Sequence, residues 1–360
     1  MQPRGTRRVS IGMGAAALLA VAVSLSACSS SPSNGGGASP TAAALTGTLT
    51  GSGSTFQTVF QQAATQQFKT VQPGMTVNYG SGGSGKGRSD LAAGTVNYAG
   101  SDSPIPAAEA ANFAGKHILY FPVIIGPITM SYNLPNVTNL KLTPTVIANI
   151  FQGNITTWNN PAITAINPGV TLPSTPVTIA VRADSSGTTQ NFSLFLQDAV
   201  PSVWKLGSAS TISWPHSARA AQGNSGVAQI IKSTPGAIGY VDLADAKSSG
   251  LSFASVQNSA QNYVAPSADS ASAAAAGVTV KPDLTFAAAW GSGAQAYPIT
   301  YQSWVLVNAQ QPNANDAKML QAYIGYLLGD GQNLLPSLNY AKLPASLDQK
   351  AKAQLSQIKG

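Results

Sequence analysis

Residues 177–199 read VTIAVRADSSGTTQNFSLFLQDA, and this stretch decides the fold class of the chain. Apolar and β-branched residues predict a strand over 177–181, and large apolar side chains at helical spacing predict an amphipathic helix from Phe192 onward. A Gly/Ser turn over 182–189 lies between them. Strand, turn and helix in this order predict an α/β fold, in which open sheets bind ligands at the carboxyl ends of their strands.

Two further turns of the same kind read GSGSTF at 51–56 and GSGGSGKG at 80–87, and each precedes a predicted helix. A helix start exposes free backbone N–H groups and the positive end of the helix macrodipole. Glycine lets an anion approach that backbone, and Ser or Thr adds a hydroxyl beside it. Three such turns in one chain predict a pocket for a small, multiply charged oxyanion.

Two acidic positions each allow two interpretations. Asp102 follows a predicted strand in the segment AGSDSP, and it is either an N-cap for a helix beginning near Pro106 or a ligand in the pocket. Arg182 and Asp184 lie two residues apart at a strand end, so both side chains can point to one face. They form either a surface ion pair of little energetic value or an arginine fork that binds an oxyanion and is oriented by the carboxylate.

The N-terminus has the features of a lipoprotein export signal. Basic residues precede an apolar run over 11–23 that is too short to span a bilayer, and LSAC at 25–28 resembles a lipobox. We therefore predict a signal peptide over 1–27 and lipidation of Cys28, with palmitate among the acyl groups. The Ser/Gly/Pro/Ala-rich stretch over 28–44 predicts a flexible tether between this anchor and the folded body.

The composition excludes several classes of function. The formal net charge is +7, and no basic run or interleaved basic–aromatic stretch indicates nucleic-acid binding. Cys28 is the only cysteine, so the sequence offers no intramolecular disulfide and no thiolate metal site. His117 and His216 are the only histidines, Glu109 is the only glutamate, and no Gly-x-Ser-x-Gly motif occurs. We therefore predict a protein without catalytic residues, metal or cofactor.

Taken in order, the motifs resemble the phosphate-binding proteins of bacterial ABC uptake systems, from about Leu45 to near the C-terminus. The matching segments are GSGSTF at 51–56, NY-x4-S at 78–84, VNYAGSD at 96–102, FPVIIG at 121–126, ITTW at 155–158, RADSSGT at 182–188, TPGAIGYV at 234–241 and YPI at 297–299. Each segment is short, but their order and spacing together are highly specific.

The resemblance implies a phosphate site at the matching positions. The contacts it implies come from Thr55, Phe56 (through its backbone N–H), Ser84, Asp102, Arg182, Ser186, Gly187 and Thr188. Asp184 matches the position that pairs with the arginine. Two residues depart from the family pattern. Lys86 stands where small or uncharged residues are usual, which predicts added positive charge at the rim, and Ser185 stands where Gly is frequent.

The architecture implied by the resemblance is a type II periplasmic-binding-protein-like fold, with two α/β lobes joined by a two-crossing hinge. Lobe 1 covers 45–124 and 298–360, and lobe 2 covers 125–297. The chain crosses between the lobes near 121–127 and 296–300, so the C-terminal segment returns to complete the first lobe.

The implied function is that of an extracytoplasmic, lipid-anchored monomer that binds inorganic phosphate between its lobes. It delivers the ligand to an ABC permease and ATPase complex, and it contacts the membrane through the lipid anchor only. Two alternatives stay open. One is a secreted phosphatase of the same family, and the other is a binder of another oxyanion such as sulfate, molybdate or phosphonate.

Overall fold

The computed structural model describes residues 45–360, so the predicted signal peptide, the lipidated Cys28 and the tether over 28–44 lie outside the described residues. The strands are β1 Gly47–Gly53, β2 Met75–Ser81, β3 Tyr98–Ser101, β4 Ile118–Tyr132, β5 Lys141–Leu142, β6 Thr178–Arg182, β7 Arg219–Ala221, β8 Ala237–Asp242, β9 Ser252–Phe253, β10 Ser255–Gln257, β11 Tyr263–Val264 and β12 Thr300–Asn308. The α-helices are α1 Thr58–Val71, α2 Ser84–Ala93, α3 Pro144–Phe151, α4 Pro161–Thr164, α5 Gly187–Ala199, α6 Gly223–Ser233, α7 Leu243–Ser248, α8 Ala268–Ala275, α9 Ala314–Leu328 and α10 Ala345–Gln354. Short 3-10 helices cover Thr55–Gln57, Ala107–Phe113, Asp330–Asn333, Pro336–Leu338 and Leu355–Gln357. Within this described range, no helix has the length and apolar character needed to cross a membrane.

One mixed sheet contains most of the strands, in the order β2-β1-β3-β12-β4-β8-β6-β7, with β9 paired to the end of β4. β1 lies parallel to β2 and β3, and β6 lies parallel to β7 and β8. β4 and β12 are antiparallel to each other and to their outer neighbours β8 and β3. The short strands β11, β10 and β5 form a second sheet. Strands alternating with helices confirm the predicted α/β class.

β4 is a long central strand in which every residue after Ile118 is buried. Its sequence, ILYFPVIIGPITMSY, is almost continuously apolar, as expected for a strand covered on both faces. Pro122 has no N–H for the ladder, and such residues are placed at bulges. The register against β12 shifts at this point, because Trp304 faces Pro122 whereas Ser303 faces Ile124. The bulge lets a central strand contain proline.

β4 changes its pairing partner in its second half. Residues 118–127 pair with β12, and residues 128–132 pair with β8. The segment before β12 runs beside the same place. There the Ile128 N–H donates to Ile299 O at 2.8 Å, and the Tyr297 hydroxyl donates to Ile128 O at 2.9 Å. Two halves of the sheet are thus joined by β4 and by the segment that leads into β12.

The C-terminal helices complete the core around the first helix of the fold. α9 contacts α1 and β1, and α10 contacts β4. Tyr323 in α9 donates its hydroxyl to Gln61 Oε1 in α1 at 2.6 Å, across 262 positions of sequence. The ring of Phe68 packs edge-on against Tyr323. The C-terminal helices therefore stabilise the half of the sheet that contains β1.

Candidate functional site

The three Gly/Ser turns lead into helices, as predicted, and they meet at one place. α2 begins at Ser84 and α5 begins at Gly187. A Cβ atom on Gly187 would lie 2.4 Å from Ser84 Oγ and 2.5 Å from Asp102 Cβ, so this approach requires glycine. At the first turn, a Cβ atom on Gly223 would lie 3.4 Å from Thr55 Cγ2. The site therefore combines turns from both halves of the sheet.

Asp102 is the buried acid of the site, with 1% of its surface exposed. Its Oδ1 accepts hydrogen bonds from the hydroxyls of Ser54 and Ser303, each at 2.5 Å, and its Oδ2 accepts from Ser84 at 3.2 Å. Burial raises the pKa of this carboxyl group, while the bonds from Ser303 and Ser54 and the charge of Arg182 oppose the rise. Several donors directed at one carboxylate stabilise its charge in the protein interior.

The N-cap interpretation of Asp102 is wrong. The helix that follows is the 3-10 segment Ala107–Phe113, and Pro106 occupies its N-cap position. Asp102 comes directly after β3 instead, and its backbone N–H donates to Ser84 Oγ at 3.1 Å. Both its backbone and its side chain are therefore committed to the site rather than to the next helix.

One acceptor position of the Asp102 carboxylate has no hydrogen-bond partner within residues 45–360. A carboxylate offers about four lone-pair positions. Serine hydroxyls use two on Oδ1 and one on Oδ2. The Oδ2 atom faces the start of α5, because a Cβ atom on Gly187 would lie 2.6 Å from it. A ligand held there must supply a proton, since two acceptors without a donor between them lose their hydration and gain no bond.

Arg182, at the end of β6, supplies a buried positive charge. Its Nε donates to Asp184 Oδ1 at 2.8 Å, and its Nη2 contacts Asp184 Oδ2. Only 1% of the Arg182 side chain and 12% of the Asp184 side chain are exposed, so the interpretation as a surface ion pair is wrong. Burial raises the pKa of Asp184, but the hydrogen bonds and the charge of Arg182 outweigh burial and hold this pKa below its usual value. The remaining guanidinium nitrogen, Nη1, donates to Thr188 Oγ1 and Asn224 Oδ1, each at 3.3 Å.

Asn224 is a site residue that the motifs quoted above do not include. It accepts from Arg182, and its Nδ2 donates to Asp242 Oδ2 at 2.7 Å, so it links the arginine to a second buried acid. It follows Gly223, whose N–H donates to Asp184 Oδ1 at 3.1 Å. The segment QGNSG at 222–226 is thus a fourth strand–turn–helix unit, and its Gly and Ser residues are the signal that identifies it.

The start of α5 presents a hydroxyl and two backbone donors. Ser186 is the N-cap, and its hydroxyl accepts the Thr189 N–H at 3.1 Å. The N–H groups of Gly187 and Thr188 belong to the first turn, where an α-helix has no internal acceptor for them. Free N–H groups and the macrodipole stabilise an anion at this position. Gly187, the first residue of this helix, lies directly against the buried carboxylate.

The first turn contributes a hydroxyl without a partner. Thr55 Oγ1 is buried and makes no hydrogen bond within residues 45–360. The Phe56 N–H, predicted to contact the ligand, donates to Ser54 Oγ at 3.1 Å in this structure. The ring of Phe56 stacks on Tyr301, with 4.1 Å between the ring centroids. Thr55 thus offers its hydroxyl to an acceptor, and stacking fixes the turn beside it.

Hydrogen bonds join the two halves of the sheet beside the site. The Gly85 N–H donates to the backbone carbonyl of Ser185 at 3.0 Å. Asn191, in α5, donates from Nδ2 to Asp102 O at 2.7 Å. Both contacts cross from the β6 half of the sheet to the β1 half, so the residues of the site are held together from outside it as well.

The positive charge expected from Lys86 at the rim is offset. Its ammonium group pairs with Asp90 at 2.8 Å, one turn along α2, and 59% of its side chain is exposed. Asp90 also accepts from Ser52 Oγ at 2.7 Å. Partial burial raises the pKa of Asp90, but the hydrogen bonds from Lys86 and Ser52 outweigh burial and hold this pKa below its usual value. Lys86 is therefore a paired surface cation.

Arg88 holds the segment that carries Asp102. The side chain is fully buried, and its Nη1 donates to Ser101 Oγ at 3.0 Å and to Ser103 Oγ at 3.1 Å, on either side of the acid. Its Nε and Nη2 donate to Glu109 at 2.7 and 2.8 Å. No motif points to this residue, because its partners come from β3 and from the 3-10 helix beyond it.

Comparisons with known proteins agree in one family. Residues 38–331 match the family described as the PBP superfamily domain. The chain is 34% identical over 314 residues to the phosphate-binding protein PstS of Pasteurella multocida (strain Pm70), which covers 85% of this chain and 89% of that protein. It is also 34% identical over 313 residues to the phosphate-binding protein PstS 3 of Mycobacterium leprae (strain TN), covering 84% and 85%.

A solved structure supports the fold. The phosphate-binding protein from Stenotrophomonas maltophilia matches with a TM-score of 0.70 at 18% identity, over 85% of this chain and 93% of that chain. At this identity the likeness concerns the fold alone. It agrees with the mixed sheet and the alternating helices described above.

Replacing Arg88 tests whether its guanidinium holds the Asp102 segment. In Arg88→Met, Glu109 loses its partner, and we expect the free energy of unfolding to fall by about 3 kcal/mol. Lys86→Met, two residues away on the same helix, removes an exposed ion pair and should change that free energy by less than about 0.5 kcal/mol. Urea unfolding measures both variants, and equal losses would contradict the role given to Arg88.

Proposed function

The chain belongs to the PBP superfamily and, within it, to the PstS phosphate-binding proteins, and from this we propose that it binds inorganic phosphate outside the cytoplasm and delivers it to an ABC importer. One observation carries the proposal. The Asp102 carboxylate, with a single acceptor position that has no partner, lies within the influence of the Arg182 charge and directly against Gly187 at the start of α5. Phosphate near neutral pH has both several acceptor oxygens and at least one proton, so it matches these surroundings.

We propose that the ligand contacts are those of the family pattern. They are Thr55, Phe56, Ser84, Asp102, Arg182, Ser186, Gly187 and Thr188, with Asp184 orienting the arginine. Support comes from Thr55 Oγ1, which is buried without a partner, and from Gly187, which approaches Ser84 and Asp102 too closely to carry a side chain. A charged arginine fork and a helix N-terminus are favourable surroundings for an oxyanion.

We also propose the two-lobe arrangement, with lobe 1 at 45–124 and 298–360 and lobe 2 at 125–297. The change of pairing partner at Ile128 of β4 supports it, because among residues 45–360 the two halves of the sheet are continuous only there and at the segment before β12. Rotation about these two segments would separate the start of α5 from Asp102 and admit the ligand.

We propose binding rather than catalysis. Hydrolysis of a phosphate ester by a serine needs a base that activates the hydroxyl. Both histidines, His117 and His216, are exposed, and the hydroxyls of Ser54, Ser84 and Ser303 all donate to the Asp102 carboxylate. These serines therefore stabilise a charge instead of acting as nucleophiles, which argues against the phosphatase alternative.

We propose that the mature protein is a monomer held at the membrane through lipid on Cys28. Support comes from the lipobox LSAC at 25–28, from the position of the only cysteine at its end, and from the Gly/Ser/Pro-rich stretch that follows.

Selectivity between phosphate and sulfate tests the role of Asp102. Sulfate has no proton at neutral pH, and unmade buried hydrogen bonds support discrimination of about 10⁴–10⁵. We expect sulfate not to compete at about a thousandfold excess in the wild type. In Asp102→Asn the amide NH₂ can turn toward sulfate. The difference between the affinities for phosphate and sulfate should therefore become smaller, while phosphate affinity falls only modestly.

Calorimetric titration of ligand-free protein with both anions measures this selectivity. Asp90→Asn is the matched control, because Asp90 lies in an ion pair with Lys86 outside the site. That variant should keep the wild-type affinities for both anions. Comparable wild-type affinities for sulfate and phosphate would contradict both the ligand and the role of Asp102.

Assay with p-nitrophenyl phosphate distinguishes a receptor from an enzyme. We expect no turnover by purified protein that binds phosphate, because the site serines share one carboxylate that their hydroxyls stabilise, and both histidines are exposed. Turnover that co-purifies with the protein through several columns and disappears in Ser84→Ala would support the phosphatase alternative.

Replacing Cys28 tests the anchor. Cys28→Ala should release the protein from the membrane fraction, because acylation at this residue is the proposed membrane contact. Fractionation and intact-mass measurement of the wild type follow the lipid directly. A variant that stays in the membrane fraction, together with a wild type of unmodified mass, would overturn the proposed localisation.

A further inference from the structure

Tyr301 is fully buried at the place where β4 changes its pairing partner. It is the second residue of β12 and faces Gly126 of β4. Its ring stacks on Phe56, with an interplanar angle of 30°. Phe56 is also packed edge-on against Tyr340, and a Cβ atom on Gly126 would lie 2.9 Å from the Phe56 ring. The ring of Tyr301 therefore has no freedom to move its hydroxyl elsewhere.

The hydroxyl of Tyr301 is buried and has no hydrogen-bond partner within residues 45–360. Other buried tyrosines do have one. The hydroxyl of Tyr340 donates to Phe56 O at 2.9 Å, and that of Tyr323 donates to Gln61 Oε1 at 2.6 Å. A buried polar group without a partner costs stability, so such a group in a rigid place indicates a partner that comes from outside the chain.

The groups around this hydroxyl belong to the site. The Thr188 hydroxyl lies beside it without a bond of good geometry, and Thr188 itself accepts from Arg182. Burial, followed by the charges of Asp102 and Asp242, raises the pKa of Tyr301 well above its usual value. The group therefore stays protonated at physiological pH and can donate a hydrogen bond to an anion.

We propose that Tyr301 is a further phosphate ligand, whose hydroxyl donates to the phosphate oxygen on the Thr188 side of the site. The inference rests on the proposed function and adds to the family pattern a residue that the pattern does not contain. Within residues 45–360, the buried hydroxyls without a partner include those of Thr55, Thr58 and Tyr301, and Thr55 and Tyr301 both adjoin Phe56 of the first turn. Because its ring is fixed by stacking, Tyr301 determines where an oxygen must lie and so contributes to selectivity.

Tyr301→Phe removes this hydroxyl and keeps the ring. By calorimetry we expect phosphate affinity to fall about 3- to 10-fold, the value of one net hydrogen bond. The melting temperature of the ligand-free variant should be unchanged or higher, because no bond within the chain is lost. If the hydroxyl had only a structural role, its removal would leave phosphate affinity unchanged and would lower the melting temperature.

Tyr323→Phe is the matched control, since it removes a buried hydroxyl that has a partner in the core. It should lower the melting temperature of the ligand-free protein by about 2 °C and leave phosphate affinity unchanged. Wild-type affinity in Tyr301→Phe would overturn the inference. So would a fall in melting temperature like that of the control, because the hydroxyl would then be bonded inside the protein. A wild type that binds no phosphate would overturn the proposed function itself, and the wild-type titration alone shows it.

Discussion

The burial of the Asp102 carboxylate is the constraint on which the rest of this site depends. A charge taken out of water must be matched by donors, and here three serine hydroxyls provide them. The sheet order explains how they meet: Ser54 follows β1, Asp102 follows β3, and Ser303 lies in β12, which are three adjacent strands. The strand order, in which β12 from the C-terminal part of the chain lies between β3 and β4, thus brings the carboxylate and its serine donors together.

The other half of the sheet builds the donor side by the same rule. Arg182 ends β6, and its charge is balanced by Asp184 and linked through Asn224 to Asp242 at the end of β8. Such buried charges are stable only when paired and hydrogen-bonded. The Asp102 carboxylate lies in one half of the sheet and the Arg182 guanidinium in the other, and β4 is shared by both halves. We propose that a ligand with both acceptors and a proton links them.

Local features could be predicted from the sequence, and contacts between distant residues could not. The Gly/Ser turns and helix starts are encoded within a few residues, so their prediction is confirmed at Ser84 and Gly187. The two interpretations of Asp102 could not be separated, because its partner Ser303 is 201 positions away. Arg88 and Tyr301 carry no motif at all. The partners of Arg88 are Ser101, Ser103 and Glu109, and the surroundings of Tyr301 come from a bulged antiparallel pairing and from the packing of rings. Only the assembled fold defines both.

The central claim is that Asp102 accepts a proton-bearing oxygen of bound phosphate opposite the donors of Arg182 and α5. A crystal structure of the protein with phosphate tests it most directly. We predict a phosphate oxygen about 2.5–2.7 Å from Asp102 Oδ2, the length of a hydroxyl–carboxylate hydrogen bond, with the other oxygens bound by Arg182 and by the start of α5. A phosphate ion bound elsewhere, or bound at Arg182 without any contact to Asp102, would contradict the account.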